Sequence, residues 1–101
     1  MIARTWHGVT DVSKADEYVD YLNRTGVAEY KKTEGNRGVY VLRRVERDRA
    51  HFLLLTFWES EDAIKRFAGP EIEKAKYYPE DEKFLLELEP TVTHYDVLMQ
   101  A

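Results

Sequence analysis

Cysteine is absent from the chain, which excludes a disulfide framework, thiol catalysis and thiolate metal sites and suits a reducing compartment. Long apolar runs are missing too. The longest, Phe52 to Leu55 and then Phe57-Trp58 after Thr56, is far shorter than the roughly 20 residues of a spanning helix. No excess of basic charge is present: the formal net charge is −4, so no global field favours nucleic acid or an anionic membrane. The chain opens in strand-like sequence, Met1-Ile2-Ala3-Arg4-Thr5-Trp6, rather than in a signal peptide, and a cytoplasmic protein is the expectation. With 101 residues there is no room for two independent cores, so residues 1–101 form one domain. What is plentiful is apolar and aromatic material. Apolar residues make up 44% of the chain, well above the disordered range. Aromatics make up 13%, and they either fill the core of one subunit or extend to a subunit interface or a ligand pocket.

Residues 2–10 read as a strand. Alternation places Ala3, Thr5, His7 and Val9 on one face, assigned here to the helices, and Ile2, Arg4, Trp6 and Gly8 on the other. Ser13 is suited to cap a helix whose stripe is Ala15, Tyr18, Val19 and Leu22, with Asp16 and Glu17 in its first turn. Gly26 is placed to end it in a left-handed C-cap, and Val27 to Tyr30 continue as a short second helix. After the turn cluster Gly35 to Gly38, two strands, Val39 to Arg47 and Ala50 to Glu59, form a hairpin around Arg47-Asp48-Arg49. Ser60 caps a helix bearing Ala63, Ile64, Phe67 and Ala68 on one face, which Gly69-Pro70 breaks. Pro70 is suited to open another helix, with Ile72 and Ala75 inward, that ends at Tyr77-Tyr78-Pro79. Phe84 to Leu88 reads as a short strand or irregular connector, and Thr91 to Met99 as the last strand.

The order β-α-β-β-α-β defines an α+β, ferredoxin-like fold with a four-stranded antiparallel sheet. Helices cover one sheet face. The other, expected to carry residues such as Trp6 or their alternates, would be buried against a second copy in a homodimer.

Four stretches resemble small members of the antibiotic biosynthesis monooxygenase family. They are Met1 to Gly8, Gly38 to Arg44, Leu55 to Ile64 (with the Trp58-Glu59-Ser60 step from strand to capped helix) and Tyr77 to Asp81. The resemblance implies a dimeric α+β barrel with a pocket between helices and sheet in each subunit. It further implies a cofactor-independent oxygenase acting on a small aromatic or quinol-type compound. The alternative is a non-catalytic dimer that binds an apolar metabolite or serves a structural role. Haem-degrading relatives use an asparagine on the first strand, a tryptophan on the helix after the third strand and a histidine ligand ten residues beyond. The ungapped positions here are His7, Phe67 and Tyr77, so all three differ, although a tyrosinate can also ligate haem iron.

Candidate site residues follow from residue type and position. His7 is a candidate base for a phenolic or enolic substrate, because an imidazole titrates near neutrality, or else a buried histidine bonded to Tyr77 or His94. Tyr77 is a candidate catalytic phenol, able to hold a carbonyl or support an oxyanion, and Tyr78 a candidate substrate-binding one. Trp58 and Phe67 are apolar walls or core residues. His94, on a strand beside the first, is expected to approach His7. Two histidines with no third ligand at recognisable spacing do not make a metal site, so neither metal nor cofactor is expected. Arg43, Arg44, Arg47 and Arg49, interrupted by acids, read as a solvated hairpin, and Glu80-Asp81-Glu82 as a solvated helix start.

Overall fold

In the computed structural model, which describes all residues from Met1 to Ala101, period-two sequence becomes a four-stranded antiparallel sheet. The strands are β1 (Ile2–Asp11), β2 (Asn36–Glu46), β3 (Arg49–Trp58) and β4 (Thr93–Asp96), in the order β2-β3-β1-β4. The helices are α1 (Ala15–Arg24), α2 (Gly26–Lys32), α3 (Glu61–Ala68) and a single turn, α4 (Asp81–Phe84). This is the expected ferredoxin-like topology. None of the helices is long and apolar enough to cross a membrane.

The expected faces of β1 are reversed. Arg4, Trp6, Gly8 and Thr10 are buried beneath the helices, whereas Thr5, His7 and Val9 lie on the opposite face. Register explains the choice. Arg4, Trp6, Gly8 and Thr10 stand opposite Thr56, Leu54, Phe52 and Ala50, the buried set of β3. One face must bury that set, and a one-residue change of assignment turns every side chain over. Trp6 is therefore core, and the open face instead carries Tyr40, Leu42, Leu53 and Tyr95.

Local chemistry corrects other boundaries. Asp11, rather than Ser13, supplies the capping carboxylate, accepting from the Ser13 N–H at 2.9 Å at the head of a 3-10 turn. On α1, Tyr21 joins Ala15, Tyr18 and Leu22 in the core, and Val19 is exposed. The break after α1 falls at Thr25, whose hydroxyl donates back to the Tyr21 carbonyl at 2.8 Å. Gly26 starts α2 instead of forming a left-handed cap, and Gly69 ends α3 at φ 85°, a positive value that side-chain-bearing residues rarely adopt. Ser60 does cap α3, accepting from the Ala63 N–H at 3.2 Å.

Pro70 opens no helix. The chain from Gly69 to Glu80 runs as a connector whose backbone pairs with residues 90–92. Ala75 N–H donates to Pro90, and Val92 N–H to Glu73. The Arg4 guanidinium also takes the carbonyls of Ile72 and Lys74. The Ala75 N–H, a single donor spent on Pro90, is lost to helical bonding. Further on, Leu86 N–H reaches the carbonyl of Val9, and β4 is shorter than expected.

Candidate active site

Between β1, α1, α2 and the 69–80 connector lies a cavity of about 20 Å³, room for a single water. Its walls are mostly aromatic, with Trp6, Tyr30, Phe67, Tyr77 and Tyr78 among them, and Arg4, Lys76 and Asp81 are its charged members. Gly8 is required here: a Cβ at that position would stand 2.2 Å from the Trp6 ring. The bare backbone lets the indole lie along β1 and form a wall.

Tyr77 enters from the connector. Its hydroxyl accepts from Trp6 Nε1 at 3.3 Å and donates to the backbone carbonyl of Glu89. Burial pushes its pKa up. Tyr78 donates to Glu29 at 2.5 Å, and burial first, then that carboxylate, push its pKa far above the ordinary phenol value. Glu29 also pairs with Lys76, whose ammonium lies 4.7 Å from the Phe67 ring centroid and donates to the Phe67 carbonyl. This cluster joins α2 to the connector across the cavity mouth.

Asp81 is the residue that composition conceals. It stands in an acidic run yet is only 4% exposed, and its carboxylate accepts the Tyr78 N–H at 2.5 Å. Burial raises its pKa, and the bond from the Tyr78 amide opposes the shift. A buried carboxyl with a raised pKa in an aromatic cleft is a physical marker of acid–base chemistry. Its proximity to Tyr77-Tyr78 in sequence was the available signal. The charge run hid it.

The other expected residues lie elsewhere. His7 is on the opposite sheet face, where its ring meets Glu89 at 2.5 Å through Nδ1 and His51 at 3.2 Å through Nε2. Its partners are thus Glu89 and His51 rather than Tyr77 or His94, and the His51 ring is stacked against it. Glu89 touches both His7 and Tyr77, through its side chain to one and its backbone to the other. His94 stands opposite Arg4, on the helix face, and does not approach His7. Burial, then the Arg4 charge, lower its pKa. Trp58 is fully buried behind Phe67, ring centroids 5.8 Å apart, and does not line the cavity. Phe67 does, and is at once wall and core.

Haem does not fit these residues. The ungapped reading puts Tyr77 at the histidine ligand position, and its hydroxyl is already held by two hydrogen bonds, from Trp6 Nε1 and to the Glu89 carbonyl.

The sequence profile of the antibiotic biosynthesis monooxygenase family matches residues 11–75. No protein of curated function matches the chain. Among solved structures, a Bacillus cereus protein bearing the same family's name is similar at 19% identity and TM-score 0.68, over 99% of this chain and 97% of that one. The haem-degrader MhuD of Mycobacterium tuberculosis, solved with two haems in its active site, is similar at 18% identity and TM-score 0.65. That match covers 100% of this chain and 99% of that one. At these identities the likeness is one of fold.

Proposed function

The chain belongs to the antibiotic biosynthesis monooxygenase family, and from that premise we propose a cofactor-independent oxygenase acting on a small phenolic or quinol-type aromatic in the cleft beneath α2. The observation that carries this reading is the buried Asp81 carboxyl inside an aromatic-walled cleft. Asp81 accepts the phenolic proton, leaving an electron-rich phenolate that reacts with molecular oxygen. The balance is closed: one oxygen atom enters the ring as a carbonyl, the other leaves as water, and the phenol, oxidised to a quinone, supplies all four electrons. Tyr77 and Phe67 position the ring, and Tyr78 closes the mouth. Oxygen consumption by chelator-treated protein against a panel of phenols and quinols tests the proposal. Stoichiometric quinone formation is expected, and no uptake with any compound that binds contradicts it.

A second reading is a non-catalytic module, and the size of the cleft favours its structural form. Cavities that hold drug-sized ligands run to roughly 300–1,000 Å³, and this one is far smaller as it stands. A binder and an oxygenase alike require the cleft to open, and we place that opening at the 69–80 connector. Recovery of a bound aromatic unchanged after incubation in air would select the module.

The site would work in a homodimer closed through the open sheet face. Tyr40 and Tyr95 are each 58% exposed there, beside Leu42 and Leu53, a patch of the kind that marks an interface. A native mass of twice 11.9 kDa is expected. Leu53 lies opposite both Leu42 and His7, and Leu53→Glu should place a charge in the seam and return the 11.9 kDa monomer. An unchanged dimer in that variant would move the interface elsewhere.

A further inference from the structure

Seven of the eight arginines are exposed, where water solvates the charge, and four of these, Arg37, Arg43, Arg44 and Arg49, also pair with a carboxylate. Arg4, only 2% exposed and most in need of a counter-charge, has none. A guanidinium stays charged inside a protein, and a buried charge without a partner is costly. Two backbone carbonyls, of Ile72 at 3.5 Å and Lys74 at 3.0 Å, take Nη2 alone. Nε is buried with no hydrogen-bond partner.

Nothing in the cleft neutralises this charge. Lys76 adds a second cation, already bound to Glu29. The Asp81 carboxylate makes no ion pair and instead accepts the Tyr78 amide. Tyr30, the phenol that supports the Arg4 charge, is itself kept neutral by burial, which pushes its pKa up. The guanidinium lies 5.6 Å from the centroid of Phe67, a cavity wall, so it is held against an aromatic surface within the cleft.

We infer that the occupant of this cleft carries an anionic oxygen, a phenolate or an aryl carboxylate, and that Arg4 is the binding residue that receives it. The inference rests on the cleft being the ligand site. An incoming oxygen supplies both the missing charge and the missing acceptor, and the aromatic walls take the ring that bears it. If that oxygen is the reacting phenolate, Arg4 holds the anion that proton loss to Asp81 creates.

Paired probes test this on the intact wild-type protein: naphthoate against its methyl ester, and para-nitrophenol against its methyl ether, with nitrophenolate absorbance reporting ionisation. The anionic member of at least one pair should bind ten-fold or more tightly, and which pair shows it identifies the group. Bound nitrophenol should ionise at a lower pH than free. Arg4→Gln should abolish the preference, and Arg4→Lys should keep part of it. Because the wild-type comparison needs no variant, a misfolded Arg4→Gln leaves the test standing. Equal binding of acid and ester overturns the inference but leaves the cleft reading intact. A preference that survives in folded Arg4→Gln also overturns it, assigning the anion to Lys76. Failure of every probe to bind overturns both.

Discussion

Asp81→Asn is expected to lower turnover about 10²–10⁴-fold, the usual contribution of a positioned acid–base group, while making the folded protein more resistant to heat near neutral pH. Asparagine keeps an oxygen to accept the Tyr78 amide, so the geometry of the connector survives. What disappears is the proton acceptor. The stability change has a definite sign. Burial raises the Asp81 pKa above its unfolded value, so the folded state holds this proton more tightly. That favours the fold in acid and is progressively lost as pH rises through the folded-state pKa. The neutral amide escapes the loss, and its advantage should shrink toward zero as the pH falls. Turnover of the wild type should fall over the same window on acidification, as the base is protonated. Thermal melts of both proteins from acid to neutral pH, beside initial rates of oxygen uptake, check the two halves separately. His7→Ala is the control: His7 lies on the opposite sheet face and should leave affinity for aromatic probes unchanged.

Trp58→Ala is expected to cost about 3–5 kcal/mol, a large share of the roughly 5–15 kcal/mol that holds a domain together. The indole is fully buried and packs edge-on against Tyr30 at 6.0 Å and against Phe67 at 5.8 Å. Its Nε1 donates to Thr56 Oγ1 at 2.8 Å, and that hydroxyl donates to the Arg4 carbonyl at 3.3 Å. Truncation leaves a cavity behind the cleft and takes a donor from a buried hydroxyl. Trp58→Phe, which keeps a ring, should lose much less. Denaturant unfolding measures the difference as a shift in midpoint. Near-native stability with weakened aromatic binding would instead make Trp58 a wall residue.

Much of the fold could be read from sequence because it follows from local chemistry. Ser60 announces α3, the Arg47-Asp48-Arg49 turn announces the hairpin, and strand alternation announces β1 and β3. Which face of β1 turns inward could not be read. Both of its alternating sets hold bulky groups, and only the pairing of Trp6 with Leu54 and of Gly8 with Phe52 decides it. That one ambiguity displaced His7 from the cleft and hid Arg4. The connector departs from the expected helix because of long-range contacts. Pro70 is a good helix opener, but the Ala75 N–H is spent on Pro90, and the carbonyls of Ile72 and Lys74 accept from an arginine 68 and 70 residues earlier in the chain. The burial of Asp81 is not legible, because a charge run carries no sign of which member turns inward. Tyr77, Tyr78 and Phe67 do line the cavity, Phe67 from the expected helical stripe and the two tyrosines from a connector instead of the expected helix end.

The most direct test of the account is a heteronuclear NMR titration of the protein with a phenolic ligand. Two indole N–H signals are expected, one from each tryptophan. The Trp6 signal, whose N–H binds Tyr77 at the cleft wall, should shift strongly along with the amides of the 69–80 connector. The buried Trp58 signal and the amides around His7, Leu53 and Tyr40 should stay in place. Shifts confined to that open face, with Trp6 unmoved, would contradict the assignment of the cleft as the site of binding.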